Sequence, residues 1–327
     1  GAPMFRIAHS LLLVTCLAVV ACGGPATDGD GGQAVRFLSM GTAPPGGAFF
    51  VVGGAMAEVF NENTSGFSMT AEATSGSQEN IRRLTSGELD FALSNSAITY
   101  FAVRGTEGWT QAYPMRAVMT LAPNVAMFVA AAESSVESIP DLADSRVSVG
   151  PAGAGFEYFI RPLLAAHGVT YDDFSPVNAT QAGAVDLLTD GSVVAAFLGG
   201  AVPTASITQA AAVQDIRLVP YDAEAMQQLV TEYVFFNPAT IPAATYRGID
   251  TEYKGLDVGS MHFITSVDMD EEIVYEATKA LYENREAVVA RHAAGRAINA
   301  NNVVRDTGTE FHPGAIRFYR EIGIWSQ

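Results

Sequence analysis

Residues 35–61 read VRFLSMGTAPPGGAFFVVGGAMAEVFN. The first six residues are mostly apolar or β-branched, a pattern that predicts a strand. The loop at 41–47 is rich in glycine and proline, and the run after it predicts a helix from about Ala48 to Asn61. A strand, a loop and a helix in this order form the repeating unit of a sheet covered by helices, so the stretch favours an α/β fold.

The same order of elements is repeated in the residues that follow. Strands are predicted at 68–73 and 89–94, with a loop at 75–77 and a helix at 78–86 between them. Each strand-to-helix turn places backbone N–H groups at a helix N-terminus, where the unpaired donors and the helix dipole favour an anion. Because ligands of open α/β sheets bind beyond the carboxyl ends of the strands, these turns predict a site for a carboxylate.

The small hydroxyl side chains in these turns have a second interpretation. Thr42, Ser75 and Ser77 could act only as caps of their own helices, which is a common role for serine and threonine. The residues of the turns leave both roles open.

A second copy of the pattern begins after Pro123. Strands are predicted at 125–131 and 146–149, and a glycine-rich loop at 150–155 opens a helix that reaches about residue 167. This loop lacks the spacing of a dinucleotide-binding fingerprint and has no Lys-Ser or Lys-Thr pair, so it gives no support for a bound nucleotide. The restart of the pattern predicts a second α/β lobe.

The N-terminal residues have the layout of a secretory signal. Arg6 and His9 precede an apolar run at 11–21, which has eleven residues where a membrane-spanning helix needs roughly 20. The run ends in Val-Val-Ala-Cys, which resembles a bacterial lipobox and would place a lipid on Cys22. A glycine-rich segment follows as a flexible tether. The alternative is that Cys22 is an unmodified thiol, like Cys16 within the apolar run.

Residues 1–34 are therefore predicted to comprise a three-residue cloning remnant, a lipoprotein signal peptide and a flexible tether. The mature protein is expected outside the cytoplasm, in the periplasm, held there by the lipid on Cys22. Both cysteines lie in this segment, so residues 35–327 can form neither a disulfide nor a thiolate metal site.

Charge and composition exclude several partners. The net charge is −17, and the 18 lysine and arginine residues are spread along the chain without a cluster. Nucleic acid is therefore not an expected partner. Without a basic patch for anionic lipid, membrane association is predicted to rest on the lipid anchor alone. Hydrophobic residues make up 49% of the chain, which is enough for a sizeable core.

Motifs typical of secreted enzymes are not found in the sequence. It contains neither Gly-x-Ser-x-Gly nor His-Glu-x-x-His, and no closely spaced set of histidine and carboxylate side chains that would hold a metal. Of the five histidines, only His262 lies in an apolar, strand-like stretch outside the signal segment. We therefore predict no catalytic residue, no metal site and no cofactor, and a secreted hydrolase is kept as an alternative.

Six groups of residues carry a family resemblance. They are Gly41-Thr42 with Gly47-Ala48-Phe49-Phe50, Ala73-Thr74-Ser75-Gly76-Ser77-Gln78-Glu79-Asn80, Leu84-Thr85-Ser86-Gly87-Glu88-Leu89-Asp90, Arg146-Val147-Ser148-Val149-Gly150-Pro151, Pro238-Ala239-Thr240-Ile241-Pro242 and His312-Pro313-Gly314-Ala315. In this order, over almost the whole chain after residue 34, they resemble the TAXI family of solute-binding proteins. Members of that family are the extracytoplasmic receptors of one class of TRAP transporters.

The resemblance implies a type II-like periplasmic-binding-protein fold, in which hinge strands join two α/β lobes and the ligand lies in the cleft between them. Lobe 1 would comprise residues 35–124 plus 233–327, and lobe 2 would comprise residues 125–232. Closure of the lobes around a small organic acid would signal to the membrane subunits of a TRAP transporter, without any chemistry on the ligand. A binding partner of a membrane sensor kinase is an alternative that the sequence does not distinguish.

The resemblance also places the ligand-binding residues. By position they are Thr42, Phe49, Ser75, Ser77, Asn80 and Asn95 from lobe 1, with the loop from Gly153 to Phe156 and the turn around Ala201 and Pro203 from lobe 2. Hydroxyls, amides and helix N-termini would hold the carboxylate, and an aromatic ring would form a wall for the rest of the ligand. One of Phe49 and Phe50 is expected to pack in the core instead.

The chain departs from the family pattern at four positions of the expected pocket. Phe49 stands where relatives commonly have tyrosine, Ala97 where they have an acidic residue, and Ala154 and Phe156 where they have hydroxyl residues. An amino-acid ligand would need a partner for its ammonium group as well, because an unpaired buried charge is costly. The departures therefore favour an oxo acid, an aromatic acid or another monocarboxylate over glutamate or glutamine.

Overall fold

The computed structural model describes residues 35–45 and 47–326. The first elements in chain order are β1 (Arg36–Gly41), α1 (Ala48–Asn63), β2 (Phe67–Glu72), α2 (Ser77–Thr85), β3 (Phe91–Asn95), α3 (Ser96–Arg104), β4 (Met115–Thr120), β5 (Val125–Ala131), β6 (Arg146–Ser148) and α4 (Glu157–Ala166). The predicted signal peptide, tether and lipidated Cys22 lie outside the described residues.

Among the described residues, the second half of the chain contributes six strands and six α-helices. Its elements are β7 (Ser175–Val177), α5 (Gln181–Thr189), β8 (Ala195–Gly200), α6 (Ala205–Val213), β9 (Ile216–Leu218), α7 (Ala223–Glu232), β10 (Phe236–Ile241), β11 (Tyr253–Val258), β12 (Met261–Ser266), α8 (Glu271–Glu283), α9 (Arg285–Arg291) and α10 (Pro313–Glu321). In the described part of the chain, no helix is long and apolar enough to cross a membrane.

The first sheet has five strands in the order β2-β1-β3-β12-β4. β1 pairs in parallel with β2 and β3, and β12 lies antiparallel between β3 and β4. Helices α1, α8 and α10 cover it with a core that includes Phe60 and Phe318, and the rings of Phe91 and Phe263 stack with centroids 5.0 Å apart. Burial of such large side chains contributes roughly 1.5–3 kcal/mol each.

The second sheet has seven strands in the order β10-β11-β5-β8-β6-β7, and β9 pairs with part of β5. The predicted strand at 125–131 is its centre, and every residue of β5 except the last is buried. The core on this sheet contains Phe197, whose ring centroid lies 5.0 Å from that of Phe128 and 5.8 Å from that of Phe159. The predicted α/β fold with two lobes is therefore confirmed.

Two chain connections cross between the sheets and run side by side. Residues 121–124 lead from β4 to β5, and residues 259–260 lead from β11 back to β12. The Leu121 N–H donates to the Met261 carbonyl at 2.7 Å, and the Met261 N–H donates to the Ala122 carbonyl at 2.8 Å. The two segments, 121–124 and 257–261, thus form one antiparallel hinge ribbon.

The position of the second crossing differs from the prediction that lobe 1 resumes at residue 233. β10 pairs with β11, and β11 pairs with β5 of the second sheet through Leu256 and Ala126. The strand pairing therefore places the return at Gly259 and Ser260. An apolar alternation identifies a strand but does not specify the sheet that it joins, since that depends on long-range packing.

Candidate ligand site between the two sheets

The strand-to-helix loops of the two sheets approach each other. A β-carbon on Gly76, in the loop before α2, would lie 3.5 Å from Ala154 in the loop before α4. The Gln78 Nε2 amide donates to the Tyr158 hydroxyl at 3.1 Å across the same boundary. Ala201, after β8, packs against the core of the first sheet. The predicted site regions of both lobes therefore lie close together, in a closed arrangement.

Thr42 is fully buried at the end of β1. Its hydroxyl donates to the Glu72 carbonyl at 2.7 Å, and its N–H donates to the same oxygen at 2.9 Å. Its methyl group fills the space beside Gly53 of α1. These contacts join β1, β2 and α1. Phe49 is half-buried on α1 and packs against the first-sheet core.

The loop 73–76 contributes both exposed and buried groups. Ser75 is exposed, and its N–H donates to Glu79 Oε2 at 2.8 Å. Hydrogen bonding from Ser75, and attraction to Arg83, hold the pKa of Glu79 below its ordinary value. The first turn of α2 is thus fixed by a local carboxylate, and Gly76 precedes the helix without a side-chain cap.

Ser77 and Asn95 form a continuous set of hydrogen bonds. The Ser77 hydroxyl accepts the Asn95 N–H at 3.0 Å. The Asn95 side chain caps α3 by accepting the Ala97 N–H at 2.8 Å, and its amide donates to the Gly259 carbonyl at 2.7 Å. Both polar atoms of the Asn95 side chain therefore bond to protein, and its role as a ligand contact stays a prediction.

Asn80 holds the ends of two strands together. It is fully buried on α2, and its amide donates to the carbonyls of Thr42 and Leu93 at 2.8 Å each. Its Oδ1 has no partner among the described residues and lies against Gly41, where a β-carbon would be 2.5 Å away. The resemblance places Asn80 in the pocket, and the geometry gives it a bracing role beside that site.

Asn80→Ala is expected to destabilise the folded protein by about 2 kcal/mol, because two buried carbonyls lose their donor. The midpoint of urea unfolding measures the loss. Asn237→Ala is the matched control, since its amide makes a single bond of 3.3 Å to Phe235. Equal midpoints for the two variants would contradict the bracing role.

The second-lobe residues differ in their surroundings. Gly153 is exposed with φ +75°, and nothing lies within 4 Å of its β-position. Phe156 is half-buried, with its ring centroid 5.1 Å from that of Phe159, and covers Gly150. Pro203 is exposed beyond Ala201. Gly153 and Pro203 are thus exposed, whereas Phe156 packs against the second core, and the roles of all three as ligand contacts stay predictions.

Several residues near the contact between the loops of the two lobes were not predicted from the sequence. The Tyr158 ring stacks on Trp109 with centroids 5.4 Å apart, and the Arg82 guanidinium lies 5.5 Å from the centroid of Trp109. Burial raises the pKa of the Tyr158 hydroxyl. Tyr158 lies on the apolar face of a helical pattern, so its sequence context predicts an ordinary core residue.

Two serine hydroxyls were also not predicted. Ser96 follows β3 in the first sheet and Ser148 ends β6 in the second, and both are fully buried. Neither hydroxyl has a hydrogen-bond partner among the described residues. Buried hydroxyls without a partner are uncommon, because burial removes their bonds to water.

His262 has no feature of a proton-transfer group. It is fully buried on β12, and its Nε2 lies 3.4 Å from the Thr307 hydroxyl. Burial, with a smaller effect of Arg305, lowers the pKa of His262 to about 3, so its ring is neutral at pH 7. Within the described residues, no group of three or more His, Cys, Asp or Glu side chains could hold a metal ion.

Two surface grooves lie elsewhere on the described part of the protein. One, of about 340 Å³, is lined by Glu271, Pro313, Ile316, Arg317 and Arg320. The other, of about 480 Å³, is lined by Ser138, Ile139, Pro140, Ala166, His167, Pro220, Tyr221 and Asp222. Neither groove is lined by a residue of the predicted site.

Comparison with known proteins places this arrangement in a known family and fold. Residues 40–323 match the profile of the NMT1-like family. A protein of Bordetella bronchiseptica RB50 is similar in structure, with a TM-score of 0.53, 12% identity and 89% of each chain covered. A Xanthomonas citri protein bound to ATP has a TM-score of 0.51 at 10% identity over 88% of this chain and 95% of its own. A putative L-cystine ABC transporter from Listeria monocytogenes has a TM-score of 0.50 at 9% identity over 83% and 100%.

Proposed function

We propose that this chain, which belongs to the NMT1-like family, is a solute-binding receptor that closes around a small organic acid outside the cytoplasm. The observation that carries the proposal is the meeting of loops from two sheets, each with a buried hydroxyl that has no partner among the described residues: Ser96, directly after β3, and Ser148, the last residue of β6. A ligand between the lobes would supply the missing hydrogen-bond partners. The receptor performs no chemistry on its ligand.

The chemical class of the ligand follows from what surrounds the loops. The N-termini of α2 and α4 follow loops at the contact between the lobes and have no side-chain cap, so their N–H groups favour a carboxylate. None of the residues that the resemblance assigns to the site carries an ionisable side chain, so these residues offer no counter-ion for a second charge on the ligand. A monocarboxylate with an apolar body, such as an oxo acid or an aromatic acid, therefore fits better than glutamate.

The membrane partner and the anchor complete the proposal. The TAXI resemblance supports delivery of the acid to the membrane subunits of a TRAP transporter. The lipobox-like sequence supports anchoring through a lipid on Cys22. The similarity in fold to a putative ABC transporter protein is compatible with a receptor role.

Removal of the two unpartnered hydroxyls tests the placement of the ligand. Ser96→Ala and Ser148→Ala are each expected to leave folding stability unchanged or slightly higher, because no protein bond is lost. Each is expected to weaken acid binding by roughly three- to tenfold, which corresponds to one neutral hydrogen bond. Isothermal titration with pyruvate, benzoate and glutamate as probes measures the binding.

Ser77→Ala is the matched control for these variants. Its hydroxyl already accepts the Asn95 N–H, so its loss is expected to lower the unfolding midpoint. Unchanged acid affinity in both Ser96→Ala and Ser148→Ala would show that the ligand does not lie at these strand ends.

A further inference from the structure

A buried carboxylate joins the two connections of the hinge ribbon. Asp257, at the end of β11, is only 3% exposed. Its Oδ1 accepts the Asn124 N–H at 3.0 Å and the Gly259 N–H at 3.2 Å. Its Oδ2 accepts the Ser260 hydroxyl at 2.6 Å. One side chain of the second sheet therefore bonds to both chain crossings.

The cation that faces this carboxylate comes from the first lobe. Arg305 follows the helices that cover the first sheet, and its carbonyl accepts the Thr120 hydroxyl of β4 at 2.9 Å. The Arg305 guanidinium donates to the Ser260 hydroxyl, and Nη2 lies 3.5 Å from Asp257 Oδ2. Its side chain is 27% exposed. The ion pair therefore spans the two lobes at the point where the chain crosses between them.

The same crossing is also held from the side of the candidate site. The Asn95 amide donates to the Gly259 carbonyl at 2.7 Å, and the Ser96 N–H donates to the Ser260 carbonyl at 2.9 Å. Asn95 in turn bonds to Ser77 in the first turn of α2. A set of hydrogen bonds therefore runs from the first turn of α2 to the hinge ribbon that carries the interlobe ion pair.

We propose that Arg305 and Asp257 are positioning residues that hold the two lobes in the closed arrangement, and that Asn95 connects this pair to the ligand loop. Arg305 is held on β4 of the first sheet through Thr120, and Asp257 belongs to β11 of the second sheet, so the ion pair links the two lobes beside the hinge ribbon. The inference rests on the proposed function, because the angle between the lobes matters for a receptor that closes around its ligand. A buried carboxylate that loses its cation is poorly stabilised, so loss of Arg305 favours arrangements in which water reaches Asp257.

The test uses the full chain without added ligand. Arg305→Gln is expected to increase the radius of gyration in small-angle X-ray scattering. It is also expected to speed hydrogen exchange of the hinge-ribbon amides, Asn124 and Gly259 among them, roughly tenfold. Arg305→Lys keeps the charge but lacks the planar guanidinium group, so it is expected to show both effects more weakly than Arg305→Gln. Asp257→Asn is a second variant that should open the lobes in the same way.

The matched control is Arg116→Gln, which removes an ion pair of 2.9 Å with Glu310 within the first lobe. It should change neither the radius of gyration nor exchange in the hinge ribbon. The proposal is overturned if Arg305→Gln has the radius of gyration and the hydrogen-exchange rates of the wild type. It is also overturned if exchange becomes faster evenly over the whole chain and not mainly in the hinge ribbon. Because no ligand enters these measurements, their result is independent of whether any acid binds.

Discussion

Gly259→Ala is expected to destabilise the folded protein by about 4 kcal/mol, the sum of backbone strain and a steric clash. Gly259 has φ +113°, which side chains rarely adopt. A β-carbon there would lie 2.3 Å from Asn95 Oδ1 and 2.9 Å from the Ala97 nitrogen. To make room, the Asn95 side chain would have to move. The cap of α3 and the hydrogen bond from Asn95 to the hinge ribbon would then be lost together. Urea unfolding measures the change in stability.

Gly191→Ala separates strain from the clash. Gly191 also has a positive φ, +76°, but nothing lies within 4 Å of its β-position, so only the backbone cost of about 1 kcal/mol applies. The two variants should therefore differ by about 3 kcal/mol. Equal losses would show that a β-carbon at residue 259 causes no steric clash with Asn95 beyond the backbone strain.

Low pH is expected to lower the free energy of unfolding through protonation of His262. Burial lowers the pKa of His262 from its ordinary value of 6.5 to about 3, so the unfolded chain takes up a proton that the folded protein does not. The contribution of the neutral ring is complete above pH 6.5 and is lost as the pH falls towards 3. The loss is about 1.4 kcal/mol per pH unit, or about 4 kcal/mol between pH 6.5 and 3.5. Urea midpoints over this range measure it.

His262→Gln is the control for this pH dependence. Glutamine stays neutral and can keep a bond to Thr307, so the variant should show a flatter loss of stability between pH 6.5 and 3.5. His312, whose pKa burial also lowers, remains in both proteins and acts in the same direction. Parallel curves for the variant and the wild type would exclude His262 as the main acid-sensitive group.

Local elements could be predicted from the sequence because short-range patterns specify them. The predicted strand and helix of residues 35–61 correspond to β1 and α1, and the strand at 125–131 has the bounds of β5. The assignment of β10 and β11 could not be predicted in the same way. Their alternation is compatible with either sheet, and only the packing of Phe236 and Leu256 in the second core shows which sheet they join.

The candidate site could be predicted less completely than the fold. The family resemblance assigns Ser77, Asn80 and Asn95 to the site, but it does not identify the groups that take up their hydrogen bonds. In the folded protein most of those bonds go to other parts of the chain. Ser96 and Ser148 were not predicted because their neighbouring residues do not show which hydroxyl is left without a partner after folding.

A thermal-shift titration of the full chain against oxo acids, aromatic acids and amino acids decides whether this protein is a receptor. We expect the melting temperature to rise with the concentration of one monocarboxylate. A ligand at a hundred times its dissociation constant adds about 2.7 kcal/mol to the free energy of unfolding. The same acid should lose most of that effect in a variant that combines Ser96→Ala with Ser148→Ala. If no acid in the panel changes the melting temperature, the proposal of an organic-acid receptor is wrong.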